Sequence, residues 1–333
     1  MTLQQAQAQI GRYAGRALVG AAGIFAVLWV IALADNAAYK DPKLFLTIGL
    51  NAISLAAIYF VVASGFTLIF GLMRIVNMAH GSFFLLGGYF AFHTATSGWG
   101  SWGLGILVAA LGVAAIGLIQ QQVFLRWNQG QDLRQALITI AISIILADQM
   151  LAHFGGTTKN LDWPPQLDFR VNFHVFGLIY PFTRIFVILC ALAIGTMLFL
   201  WLRRTRTGMV IRAGVDDRAM VSALGINIQL VFAMTFMIGS ALAAFGGVLG
   251  GTLGGLSPGV DNQFLLNSLI VVIIGGMGSL GGAAIGALLY GFVDAFSDIY
   301  LPQGYSNYSV LLTFGLLVFV LAVRPFGLFG RAA

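Results

Sequence analysis

Apolar runs suited to crossing a bilayer recur along this chain from near its first residues to its last, and no other feature of the sequence constrains its fold as strongly. A helix needs about 20 apolar residues to span a hydrocarbon core roughly 30 Å thick. Candidate spans occupy residues 17–34, 44–69, 82–95, 102–125, 136–151, 182–202, 228–253 and 310–323. Only 8% of the 333 residues are charged and 59% are hydrophobic, whereas a soluble domain has about 25% charged residues to coat its surface. A cytosolic enzyme, a nucleic-acid binder and a disordered scaffold are thereby excluded. The expectation is an all-α polytopic membrane protein, with residues 1–333 forming one transmembrane domain.

A further apolar stretch, 264–296, contains Gly275, Gly276, Gly278, Gly281 and Gly282. Five glycines so close together are hard to keep in one continuous lipid-facing helix. The stretch therefore reads as two helices meeting at a Gly-rich turn. That gives eight clear spans plus a hairpin, or ten spans if both arms cross. Arginines orient the chain. Arg12 and Arg16 precede the first span, Arg126 and Arg134 flank a short loop, five arginines crowd 203–227, and Arg324 and Arg331 follow the last span. By the positive-inside rule these regions and both termini are expected to be cytoplasmic. Residues 153–181, 257–263 and 294–307 are expected to face outward. The N-terminal arginines, first apolar run and Ala32-Leu33-Ala34 also resemble a signal peptide; the length of that run and the multi-span continuation favour a retained helix.

Catalytic and metal signals are missing. The four histidines show no ligand spacing, the single cysteine, Cys190, sits mid-span without a partner, and no G-x-x-x-x-G-K-[ST] occurs. The informative polar residues lie elsewhere. Ser64 and Thr67 dot the apolar segment 44–69, and Arg74, Asn77 and His80 follow within a few residues. Polar groups at membrane depth are expensive and usually face a cavity, a pathway or a partner helix. The plainer alternative is a packing seam in which Asn77 and His80 bond to backbone carbonyls. Residues 203–227 read as an amphipathic helix with Ile211, Val215, Met220, Ala223 and Leu224 near one face, suited to lipid or to a partner's groove. The glycine hairpin suits tight helix packing or a broken helix lining a cavity.

The run Asn77-Met78-Ala79-His80-Gly81 resembles the signature of the H-type permeases of ABC importers for branched-chain amino acids. Gly87-Gly88-Tyr89 stands where relatives often have Gly-Ala-Tyr, and similarity recurs in order at 204–226, 275–291 and 325–331. The companion M-type permeases lack this arrangement around the histidine. The resemblance implies an ABC importer permease fold, type II-like, in a bacterial inner membrane. It implies no catalysis by this chain, with ATP and Mg held by partners. The partners implied are an M-type permease, two ATP-binding subunits and an extracytoplasmic solute-binding protein, with no nucleic acid. Ser64, Thr67, Asn77, His80 and Gly81 are the expected pathway or gate, and Gly275, Gly276, Gly278 and Gly282 the core hairpin. Arg212, Asp217, Ala219, Leu224 and Gly225 match the coupling segment that meets the ATPase, although the Glu-Ala-Ala of the wider superfamily is missing. The implied cargo is leucine, isoleucine and valine, while similar permeases serve urea, short amides or carboxylates. A self-sufficient secondary transporter or channel, using His80, Asp148 and Asp294, is the competing reading.

Overall fold

The computed structural model describes residues 42–95, 98–173, 178–301 and 308–330. Helix α1 (Pro42–Met73) is an unbroken apolar run with a proline at its first position, where no intrahelical N–H is needed. It stops because Arg74 adopts a left-handed φ of 54°. Helix α2 (His80–Thr94) follows, then α3 (Trp99–Ile119), which widens into a π-helical turn over Gln120–Leu125. Helix α4 (Asp132–Phe154) ends at Gly155. Next come a small antiparallel hairpin, β1 (Arg170–Phe173) with β2 (Leu178–Pro181), and α5 (Phe182–Arg204). Two short helices, α6 (Arg206–Asp216) and α7 (Arg218–Ala223), lead into α8 (Ile228–Gly254). The order closes with α9 (Val260–Gly275), α10 (Leu280–Tyr300) and α11 (Ser309–Val323).

Helices α1 and α8 form the centre. They pack on each other, α1 also meeting α5, α9 and α10, and α8 also meeting α2 and α3. Small residues permit this: Gly65 and Gly239 face each other, and Gly87 lies on Ala244. Helices α4 and α5 are peripheral and turn large apolar side chains outward, among them Ile144, Ile145, Leu192 and Met197. Such faces suit lipid or a second membrane subunit.

Among the described residues, six helical segments are long and apolar enough to cross a membrane: Lys43–Met73, Trp99–Asn128, Asp132–Phe154, Phe182–Arg204, Ile228–Gly254 and Leu280–Tyr300. Val260–Gly275 and Ser309–Val323 are apolar but shorter. Five of the eight spans expected from hydropathy thus fall on long helices. The expected spans 82–95 and 310–323 fall on helices of 15 residues, and 17–34 lies outside the described residues. The Gly-rich stretch does form two helices, joined through Gly276–Ser279. Among the described residues, the antiparallel β1–β2 pair in 153–181 departs from the otherwise helical expectation.

The helices have two distinct ends. At one, the Gly276–Ser279 turn rests on Gly71 of α1, and Gly214 of α6 touches Leu72. Leu328 and Phe329 also come here, donating backbone N–H groups to the carbonyls of Ile274 and Gly275 at 2.9 and 3.0 Å. At the other, Lys159 and Leu256 exchange backbone hydrogen bonds. There Trp163 Nε1 donates to the carbonyl of Thr252 at 3.1 Å. The Tyr180 hydroxyl donates to Asn51 Oδ1 at 3.1 Å, and burial pushes that phenol above its ordinary range.

Candidate functional site

Asn77 shapes the turn between α1 and α2. Its Oδ1 accepts from the backbone N–H of Ala79 at 3.1 Å, and its carbonyl accepts from His80 N, a local use of the side chain typical of Asn in turns. The same Oδ1 accepts from Gln120 Nε2 at 3.1 Å. His80 is fully buried; its Nε2–H donates to the Val62 carbonyl at 3.0 Å, and its ring stands edge-on to Phe66. Ser64 donates to the Val61 carbonyl at 2.7 Å. Thr67 is buried on the same helix. Gly81 lets α2 touch the first turn of α9, because a side chain there would run into the Asp261 carbonyl and Leu265.

All five pathway candidates are therefore buried between α1, α2 and their neighbours, and two of them do bond backbone carbonyls as a packing seam would. The bonding is incomplete. Among the described residues, Asn77 Nδ2, His80 Nδ1 and Thr67 Oγ1 are buried without a hydrogen-bond partner. Each such atom costs about 1–3 kcal/mol relative to a satisfied one, so three among the pathway candidates need an explanation beyond packing.

Sequence reasoning missed the other side of this seam. Gln120, Gln121, Gln135, Thr139 and Ser143 are buried on the end of α3 and on α4, and three of them bond residues 77–82. Thr139 Oγ1 accepts from Met78 N at 3.2 Å, and the Ser82 and Ser143 hydroxyls lie 2.8 Å apart. The amides of Gln121 and Gln135 also leave buried atoms unpartnered. The available signal was the run Gln120-Gln121-Gln122 at the end of an apolar stretch. A regular α-helix would turn consecutive residues 100° apart; the π turn widens the helix where Gln120 and Gln121 are both buried.

The coupling candidates lie at the end shared with Gly71 and the glycine turn. They do not form the single amphipathic helix expected. Asp217 has extended backbone (φ −150°, ψ 104°), ends α6 and caps α7, its Oδ1 accepting from Met220 N at 3.0 Å. Ile211 and Val221 are buried, whereas Met220 and Leu224 are 63% and 72% exposed. The break at Asp217 therefore splits the apolar face: one part anchors the segment and the other is presented outward. Arg212 is exposed on α6, Ala219 lies in α7, and Gly225 (φ 79°) closes it.

In the core hairpin, Gly275 and Gly282 bring α9 and α10 into backbone contact. Gly276 (φ 98°) and Gly278 (φ 87°) take left-handed conformations that other residues avoid. Residues 325–330 fold beneath this turn, with Gly330 against Gly276. The similarity segments 275–291 and 325–331 thus meet in one structural unit.

A bundle of membrane-length apolar helices with a polar seam at depth and a helical pair at one end is the architecture of a polytopic membrane permease. The family described as the permease component of branched-chain amino acid transport systems matches residues 48–321, and the chain belongs to it. The chain is 31% identical over 295 residues to the high-affinity branched-chain amino acid transport system permease protein BraD of Pseudomonas aeruginosa, covering 84% of this chain and 94% of BraD. It is 30% identical over 294 residues to LivH of Escherichia coli K12, with the same coverage. To LivM of that organism it is 27% identical over 299 residues, covering 83% of this chain and 68% of LivM. No solved structure matches the chain.

Proposed function

We propose that this chain is the H-type permease subunit of an ATP-driven importer for branched-chain amino acids or similar small amphipathic solutes. The ordered match to permeases named for that transport, over 84% of the chain, carries the reading. The chain forms a single permease domain of type II-like organisation in the bacterial inner membrane, with eight spans plus the glycine hairpin, ten spans if both of its arms cross, and with both termini cytoplasmic. It pairs with an M-type permease and with two ATP-binding subunits, and α6 and α7 are the segment that docks on an ATPase. An extracytoplasmic solute-binding protein delivers cargo to the end occupied by 153–181. The chain performs no chemistry of its own; ATP and Mg are held by the partner subunits.

Ser64, Thr67, Asn77, His80 and Gly81 form the closed gate, and their unpartnered atoms support this because a moving polar seam must exchange partners. Closure of the ATPases displaces α6 and α7, which are tethered to α5 and α8, and the helices tilt between openings. Proteoliposomes test the reading. Leucine uptake should require the M-type permease, both ATPases, ATP and the soluble receptor. Uptake by this chain alone under an ion gradient would establish the secondary-transporter alternative instead.

A further inference from the structure

A cleft of about 300 Å³ opens at the end of the helices that carries residues 153–181, between α2, α4 and the turn into α9. Its walls are mostly apolar, with Leu85, Tyr89, Ile144, Met150 and Leu151, and its polar lining includes Asp148 and Asp261. Asp261 is only 3% exposed. Its Oδ1 accepts from Gly259 N at 3.1 Å, and the other carboxylate oxygen has no hydrogen-bond partner among the described residues. Among the described residues, no Lys or Arg lines the cleft. A buried carboxylate without a counter-cation is costly, so the site favours a cation that arrives with a ligand. The volume lies at the lower end of small-ligand pockets, which start at about 300 Å³.

We infer that this cleft is a receiving subsite for a primary ammonium group borne on a short aliphatic skeleton. Asp261 and the exposed Asp148 hold the ammonium, and the apolar walls hold the skeleton. The assignment rests on the importer reading for its role, since a receptor would release solute at this end. It narrows the cargo to amine-bearing solutes and disfavours urea or simple carboxylates. Gly81 ties it to the seam, because α2 meets the Asp261 carbonyl there.

The test uses the complete importer in phosphatidylcholine–phosphatidylglycerol vesicles, with Cys190→Ala and a reporter Ala147→Cys in the cleft wall. A neutral thiol reagent modifies the reporter while isopentylamine, L-leucine or 4-methylpentanoate is titrated. Isopentylamine and leucine should slow modification several-fold and 4-methylpentanoate should not. Asp261→Asn, which keeps the acceptor for Gly259, and the surface variant Asp148→Asn should each raise the isopentylamine concentration needed by about tenfold. Equal protection by 4-methylpentanoate, or unchanged protection in both variants, would overturn the subsite. Slowing by phosphatidylethanolamine vesicles with none by leucine would assign the ammonium to a lipid headgroup and overturn the solute assignment. Receptor-dependent leucine uptake, measured on the same vesicles, separates the two claims. Uptake without protection by either amine rejects the cleft alone, and protection without uptake rejects the importer reading alone.

Discussion

Asn77, His80 and Gly81 occupy successive structural jobs within five residues: one builds a turn, one reaches across to α1, and one lets α2 approach α9. The Gly81 contact is with backbone, which cannot swing aside as a side-chain tip would. Gly81→Val should therefore lower the thermal stability of the purified complex strongly, by about 2–4 kcal/mol. Gly103→Ala, where nothing lies within 4 Å of an added methyl, should be neutral or slightly stabilising. His80 separates gate from packing. Glutamine retains a donor for the Val62 carbonyl while removing the second ring nitrogen. His80→Gln should cut uptake about tenfold or more while stability changes by less than about 1 kcal/mol. A parallel fall in stability and uptake, followed by thermal melting and transport on one preparation, would mark His80 as packing only. The identity of these residues was legible in the sequence because polar groups stand out against an apolar run. Their incomplete bonding was not, since it depends on what α3 and α4 bring to the seam from far along the chain.

Among elements, hydropathy located the long helices because each is a continuous apolar run. It failed to specify α6 and α7, whose separation depends on backbone conformation at Asp217. A periodicity drawn across that residue placed Ile211 and Met220 on one face, yet one is buried and the other exposed. Asp217 now has two possible jobs that substitution distinguishes. If it acts as the cap of α7, Asp217→Asn should behave like the parent, because Asn caps as well as Asp, and Asp217→Ala should lose about 1 kcal/mol of local stability. If its charge meets the ATPase, both variants should lose coupling. The geometry leads us to expect the first outcome, read from receptor-stimulated ATP hydrolysis. Arg212 makes a different prediction, since it is exposed on α6. Arg212→Glu should abolish stimulation by loaded receptor or release the ATPase subunits during purification. Lipid anchoring instead predicts a mild defect that follows anionic lipid content. Receptor binding of cargo should be unaffected.

Across the whole molecule, the basic segments and the glycine turn converge on one end although they come from distant parts of the sequence. The end of α1, the α6–α7 pair, the Gly276–Ser279 turn and residues 324–330 lie together, and the loop with Lys159, Trp163 and Tyr180 lies opposite. In the proposed orientation the arginine-rich end is the cytoplasmic one, because Lys and Arg are retained on that side. Geometry and charge therefore make one joint prediction that neither makes alone: two positions at opposite ends must label from opposite sides. With Cys190→Ala as background, Ser222→Cys on exposed α7 and Thr158→Cys beside the Lys159–Leu256 pairing provide the positions. An impermeant thiol reagent added to intact cells should modify the cysteine at 158 and spare that at 222, and opening the cells should expose 222. Reversal of both would invert the molecule and move the ammonium cleft to the cytoplasmic side. Labelling of both from outside would place α7 and the loop on one face, which the span of α8 between Asn227 and Thr252, about 37 Å at 1.5 Å per residue, does not allow in a bilayer-crossing helix.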